Sequence, residues 1–317
     1  MNPPRLALMI LMSAMIACAN VRGDSTPTAA PPLTTVMPPR TELPTALPTF
    51  DSNKLGTVER DVIYCRVSSV DLKMDVYYPK TIRTPAIGLI YIHGGGWTGG
   101  DKADGGGVND MPELTARGYI TFSINYRLAP QTKIQNQIED VKCAVRSIRA
   151  NAARYGIDPK KIGAWGSSAG GHLVSLLGTA DDKEFASGMY LDQSSRVQAV
   201  TDMFGPTDLE KLLSGARAAE GLFGAKGMND PIVASLNPIN HVSKDDPPFL
   251  LMHGDQDTVV PLSQSQIFYE ALKAGGVNVS FIVVKNAEHG WRPVGTMSLS
   301  RLEITKAMAD FFDKVLR

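Results

Sequence analysis

Residues 162–171 read Ile162-Gly163-Ala164-Trp165-Gly166-Ser167-Ser168-Ala169-Gly170-Gly171, and His172–Leu177 continue with helical character. An apolar strand runs into G-x-S-x-G and then into a helix. That order predicts a sharp strand-to-helix turn with Ser168 at its tip, its hydroxyl held above the sheet. Gly166 and Gly170 leave the room such a turn demands, and the adjoining helix N-terminus favours developing negative charge. G-x-S-x-G alone occurs by chance; the flanking strand and helix give it weight. Ser168 is the candidate nucleophile. Ser167 is not central in the pattern.

A second glycine cluster follows another apolar run: Ile90-Tyr91-Ile92-His93-Gly94-Gly95-Gly96-Trp97. Acyl transfer through a tetrahedral intermediate needs N–H groups aimed at the oxyanion. Successive glycines after a strand let the backbone come that close without side-chain clash. The amides of Gly95 and Gly96 are the candidate oxyanion hole, with the amide of Ala169 as a third donor. His93 reads as a brace for this loop rather than a base. The stretch lacks both the Gly-Lys-Ser/Thr ending and the G-x-G-x-x-G spacing of phosphate-binding loops.

The base follows by elimination among five histidines. His93 and His172 sit in the two glycine motifs, His241 precedes the last strands, and His253 closes a strand, where it reads as satisfying local hydrogen bonds. His289 alone lies in a loop after the final strand, in the order serine, acid, histidine. The acid should leave the preceding strand, Phe249–Met252, and hold the tautomer of His289. His253-Gly254-Asp255-Gln256-Asp257 offers two carboxylates. Asp257, deeper in the loop, is favoured; Asp255 reads as a turn residue, and Glu288 is a distant third.

Around these motifs the chain alternates buried strands with helices. Leu72, Met74, Val76 and Tyr78 alternate as a half-buried strand, paired with a run near Val62–Val67. Continuous apolar runs at 87–92, 119–124, 162–165, 197–204, 249–252 and 279–284 suit strands covered on both faces. Between two of them, Ile134, Ile138, Val141, Val145, Ile148 and Ala152 share one helical face, and Asp158-Pro159 marks a turn into the next strand. Such alternation predicts a doubly wound α/β sheet. With 32 Lys+Arg against 32 Asp+Glu, the chain lacks the basic excess of a nucleic-acid binder. The histidines and cysteines show no metal-ligand spacing, so neither metal nor cofactor is expected.

Upstream of this body, Arg5 precedes an apolar run, Leu6–Ala17, too short to span a bilayer but suited to a signal-peptide core. Residues 1–18 are expected to be a signal peptide. Met15-Ile16-Ala17-Cys18 resembles a lipobox, which makes Cys18 a candidate lipid anchor; cleavage after Ala19 is the alternative. Residues 19–50, rich in Pro and Thr, cannot bury enough apolar area to fold and are expected to be an extended tether. Residues 51–317 form the catalytic domain, and the protein is expected to be exported to the cell surface or secreted. Of the remaining cysteines, Cys65 and Cys143, the preferred reading is two buried free thiols, with a disulfide as the alternative.

The stretches YIHGGGWTGGDK (91–102), NYRLAP (125–130), WGSSAGGHL (165–173), HGDQDTVVP (253–261) and AEHG around His289 resemble the α/β-hydrolase superfamily. Within it the chain is similar to carboxylesterases with an HGGGW oxyanion loop and a G-x-S-A-G-G elbow, the hormone-sensitive-lipase-like and feruloyl-esterase-like branches. The resemblance implies an α/β-hydrolase fold: a mostly parallel eight-stranded sheet with helices on both faces. It also implies ester hydrolysis through an acyl-enzyme, on short-chain acyl, hydroxycinnamoyl or acetyl esters, small or polysaccharide-linked. The acid of H-G-x-x-D corresponds to Asp257, and Tyr126-Arg127 looks structural, with Arg127 meeting Asp140. Ser167 stands where the lipase-like branch often has Asp, and residues 51–80 read as strands rather than a helical cap, which points to the feruloyl-esterase-like branch. Trp97 and Trp291 are candidates for the acyl pocket, or for the core. Residues 205–240 suit a small lid or a surface excursion. The triad leaves amide hydrolysis open, as in formamidase-like or exopeptidase-like relatives. A non-catalytic binding module on this fold should have a broken triad, whereas Ser168, Asp257 and His289 are all present.

Overall fold

The computed structural model describes residues 51–103 and 106–317. The expected signal segment 1–18, with Cys18, and the tether 19–50 lie outside the described residues. Eight strands form one sheet: β1 (Leu55–Val67), β2 (Val70–Pro79), β3 (Ala86–Ile92), β4 (Ile120–Ile124), β5 (Ile157–Ser167), β6 (Ala199–Met203), β7 (Phe249–Gly254) and β8 (Val279–Val284). Their spatial order is β1-β2-β4-β3-β5-β6-β7-β8. β1–β2 and β2–β4 pair antiparallel, and all pairs from β4 to β8 are parallel.

Parallel strands linked by crossover helices are covered on both faces, so their side chains divide between two cores. Ile90 and Ile92 of β3 pack with Phe122 on one face, beneath α2 (Ile134–Ala150) and α3 (Ala169–Thr179). α4 (Ser263–Ala274) adds Phe268 and Leu272 to the same face. Leu89 and Tyr91, one residue out of phase on β3, join Trp165 on the other face, against α1 (Met111–Ala116) and α5 (Arg301–Leu316). α5 is set by its sequence: Ser300 accepts from the amide of Glu303, whose carboxylate accepts from the amide of Ser300, and Ile304, Met308 and Phe312 then fall on the buried side.

Three local expectations change. Asp158-Pro159 lies inside the span of β5, and its turn character survives as a break in register between Ala86↔Ile157 and Gly88↔Ile162. β2 is not half-buried throughout: Asp75 is buried as well, because Lys102 and Arg60 bring it cations at 2.8 and 2.6 Å. Cys65 and Cys143 are not free thiols; they form a disulfide that joins β1 to α2 across a Cα–Cα distance of 6.4 Å. The register slips between Ile63 and Cys65, so Tyr64 and Cys65 are both buried although consecutive in a strand. That irregularity turns the Cys65 thiol toward α2, and spacing along the chain does not reveal it.

Candidate active site

β5 delivers the nucleophile. Ser168 follows its last residue with φ 56° and ψ −122°, a conformation costly for any residue with a Cβ, and α3 begins at Ala169. Only glycines fit around it. A Cβ on Gly166 would stand 2.2 Å from the carbonyl oxygen of Gly170, and one on Gly170 2.0 Å from that of Ile92. The Ser168 Oγ lies 2.9 Å from His289 Nε2. Ser167 turns elsewhere, its Oγ 3.3 Å from the Tyr91 hydroxyl.

His289 stands between two short strands, Ala287–Glu288 and Arg292–Pro293, that pair with each other. Its Nδ1 lies 2.7 Å from Asp257 Oδ2. A carboxylate can only accept, so Nδ1 carries the proton and Nε2 is left to accept from the Ser168 hydroxyl. The other Asp257 oxygen accepts from the amides of Val259 and Val260 at 2.9 and 2.8 Å. Burial alone would push the Asp257 carboxyl up, but hydrogen bonds from His253, His289 and the Val260 amide outweigh it and hold the group well below the usual carboxylate range. Asp255 instead accepts from the amide of Asn286 at 2.7 Å, tying the acid loop to the histidine loop, and Glu288 pairs with Arg292.

The loop after β3 faces this trio. The amides of Gly95 and Gly96 donate to no other group among the described residues, and both glycines take positive φ, 123° and 59°. The amide of Ala169 heads α3, where no preceding helical turn supplies an acceptor. A Cβ on Gly94 would sit 2.8 Å from the Ser167 carbonyl, so this loop rests directly on the elbow. His93 braces it: its ring stacks on Tyr126 at 4.3 Å, and its carbonyl accepts from the Tyr126 hydroxyl at 2.9 Å. Further along, buried Lys102 anchors the loop to Asp75 of β2. Arg127 meets Asp140 through two short contacts, Nη2–Oδ1 at 2.7 Å and Nε–Oδ2 at 2.9 Å.

Ser168 and His289 open into a cleft of about 710 Å³, ordinary for a small-molecule site. Met203, Phe204, Val259 and Trp291 supply apolar wall, while Asp101, Asn109 and Arg301 bring polar groups. The Arg301 guanidinium is already paired with Asp110 at 2.6 Å, which balances its charge. Trp291 lines the cleft and packs edge-on to Phe204, whose ring in turn meets His289 at 4.8 Å. Trp97 does not line it. Its indole N–H donates to His172 Nδ1 at 3.2 Å inside the α2–α3 core, because the left-handed backbone at Trp97 (φ 62°) turns the ring inward. Residues 205–240 contribute nothing to the cleft lining; Leu209, Phe223, Val233 and Leu236 are buried on the α2–α3 side as a surface excursion. Phe204 was legible in principle, since it follows the carboxyl end of a parallel strand, where sites of such sheets gather. Arg301 and Asn109 carried no signal.

A serine elbow on this sheet, with histidine and acid arriving from the loops after β8 and β7, defines an α/β-hydrolase with a Ser–His–Asp triad geometry. The BD-FAE family model matches residues 74–272, and the chain belongs to that family. It is 33% identical over 228 residues to Esterase LipC of Mycobacterium tuberculosis, a match covering 69% of this chain and 56% of LipC. The chain thus spans about half the length of the curated relatives it matches. Among solved structures, it is similar to a truncated carbohydrate esterase from gut microbiota, with a TM-score of 0.71, 32% identity, and coverage of 83% of this chain and 97% of that one. Esterase Est2 of Thermogutta terrifontis gives a TM-score of 0.67 at 28% identity, covering 80% of this chain and 90% of its own.

Proposed function

We propose that the protein is a serine carboxylic-ester hydrolase working through an acyl-enzyme, on short-chain acyl, hydroxycinnamoyl or acetyl esters, including those carried by polysaccharide. The observation that carries this reading is the continuous hydrogen-bonded line from Ser168 through His289 to Asp257, at 2.9 and 2.7 Å. Ser168 Oγ attacks the ester carbonyl as His289 Nε2 takes its proton; Asp257 stays ionised and stabilises the imidazolium. The amides of Gly95, Gly96 and Ala169 receive the oxyanion. As the tetrahedral intermediate collapses, His289 returns the proton to the departing alcohol. Water, deprotonated by the same imidazole, then releases the acid.

The names of the relatives, esterases in each case, favour ester over amide substrates. The apolar wall beside Ser168 suits a small acyl or aromatic group. Hydrolysis of p-nitrophenyl acetate tests the reading: Ser168→Ala should lose at least ~10⁴-fold in kcat/KM, and a fluorophosphonate should label Ser168 of the wild type. Equal rates for the two proteins would end it. We further propose export, with Cys18 as lipid anchor. The disulfide supports an oxidising compartment, and labelling with a fatty acid that disappears in Cys18→Ser would test the anchor.

A further inference from the structure

The triad acid faces two imidazoles. Asp257 Oδ2 takes His289 Nδ1 at 2.7 Å, and His253 Nε2 lies 3.3 Å from the same oxygen. His253, at the end of β7, is wholly buried. Its Nε2 is also 2.9 Å from the carbonyl oxygen of Val260, which can only accept, so Nε2 carries a proton. In the neutral ring Nδ1 is then an acceptor. Ser265 Oγ, fully buried on α4, lies 2.7 Å from that Nδ1 and donates to it.

Resting on the triad reading above, we infer that His253 is a positioning residue for Asp257, and that Ser265 holds the far side of its ring. The geometry explains why one is needed. The Asp257 side chain is only 1% exposed, and its Oδ1 is fixed by two backbone amides. Oδ2 would otherwise be steered by His289 alone, the ring that must change charge during each turnover. The His253 N–H, lying between the Val260 carbonyl at 2.9 Å and Oδ2 at 3.3 Å, gives that oxygen a second contact that takes no part in proton transfer. The chain Ser265–His253–Asp257–His289–Ser168 therefore reaches from α4 to the nucleophile, with the proton transferred only at its far end. His253 touches neither substrate nor reacting atoms; it acts through the acid.

The test uses three variants of the full chain, with wild type and Ser168→Ala alongside. His253→Leu removes the donor and should lower kcat on p-nitrophenyl acetate by about 10- to 100-fold with KM within threefold. His253→Gln, whose side-chain amide can place an N–H near the position of Nε2, should recover most of that loss. Ser265→Ala, which removes the hydroxyl that holds the Nδ1 side of the ring and lets the ring tilt away from Asp257, should lower kcat several-fold in a protein whose fold is barely disturbed. It keeps the proposal open to refutation should His253→Leu not fold. Folded His253→Leu or Ser265→Ala with kcat within twofold of wild type would overturn the inference, as would His253→Gln no better than His253→Leu. Retained activity in Ser168→Ala would instead sink the triad reading beneath it.

Discussion

Reducing the bond between Cys65 and Cys143, both side chains kept, should cost the domain about 4.5 kcal/mol at 25 °C. The bond spans 78 residues of sequence. Closing a loop of that length removes roughly 15 cal/mol/K of entropy from the unfolded chain, which at 298 K gives that figure as an upper value. On a domain of this size each kcal/mol shifts the midpoint by roughly 2 °C, so Tm should fall by up to about 9 °C. Thermal melts of oxidised and reduced protein measure it directly, with thiol titration to prove that reduction is complete. Cys65→Ala/Cys143→Ala should give a similar loss plus a small cavity cost, since both residues are buried. Activity at 25 °C should change less than about twofold, because neither β1 nor α2 lines the cleft. A midpoint within 2 °C of the oxidised protein, thiols fully titrated, would refute the loop-closure reasoning.

Ser168→Gly should melt higher than wild type, by about 1 kcal/mol, while losing ester hydrolysis altogether: the left-handed φ of 56° is strained for serine and free for glycine. Paired melts and p-nitrophenyl acetate assays check both halves. Gly170→Ala should lose more than about 3 kcal/mol or fail to accumulate as soluble protein, since its Cβ would press on the fixed Ile92 carbonyl at 2.0 Å. Burial pushes the Asp202 carboxyl from 3.8 up to about 7, against smaller opposing effects of hydrogen bonds from Ser175 and the Gly205 amide. A carboxyl raised on folding contributes stability that is complete below the unfolded value and lost as pH rises through the folded one, here on the order of 4 kcal/mol between pH 4 and 8. Asp202→Asn should remove that decline, so its Tm should gain on wild type as pH rises; parallel melts at pH 5 and 8 would show it.

The triad was readable because each member follows a strand whose apolar run is unmistakable: Trp165 before Ser168, Leu251 before Asp257, Val284 before His289. Strand ends in a parallel sheet converge in space, so chain order alone brings distant residues together. Side-chain direction was not readable in the same way. Trp97 and Trp291 look alike as tryptophans after glycine turns, yet one points into the core and the other lines the cleft. Cys65 and Cys143 were assigned to neighbouring elements only once the irregular register of β1 against β2 was known. His253 was recognised as a group making local hydrogen bonds, but which oxygen lay beyond them depended on the path of residues 255–260.

The disulfide sits near the far end of the first strand. Load entering at the N-terminal end of the domain peels β1 from the sheet edge, opening Leu55↔Pro79 and its successors one by one. At Cys65 the peeling meets a covalent stop fixed to α2. Tension is passed there into a helix packed on the sheet centre, before it can disturb the strand that carries Ser168.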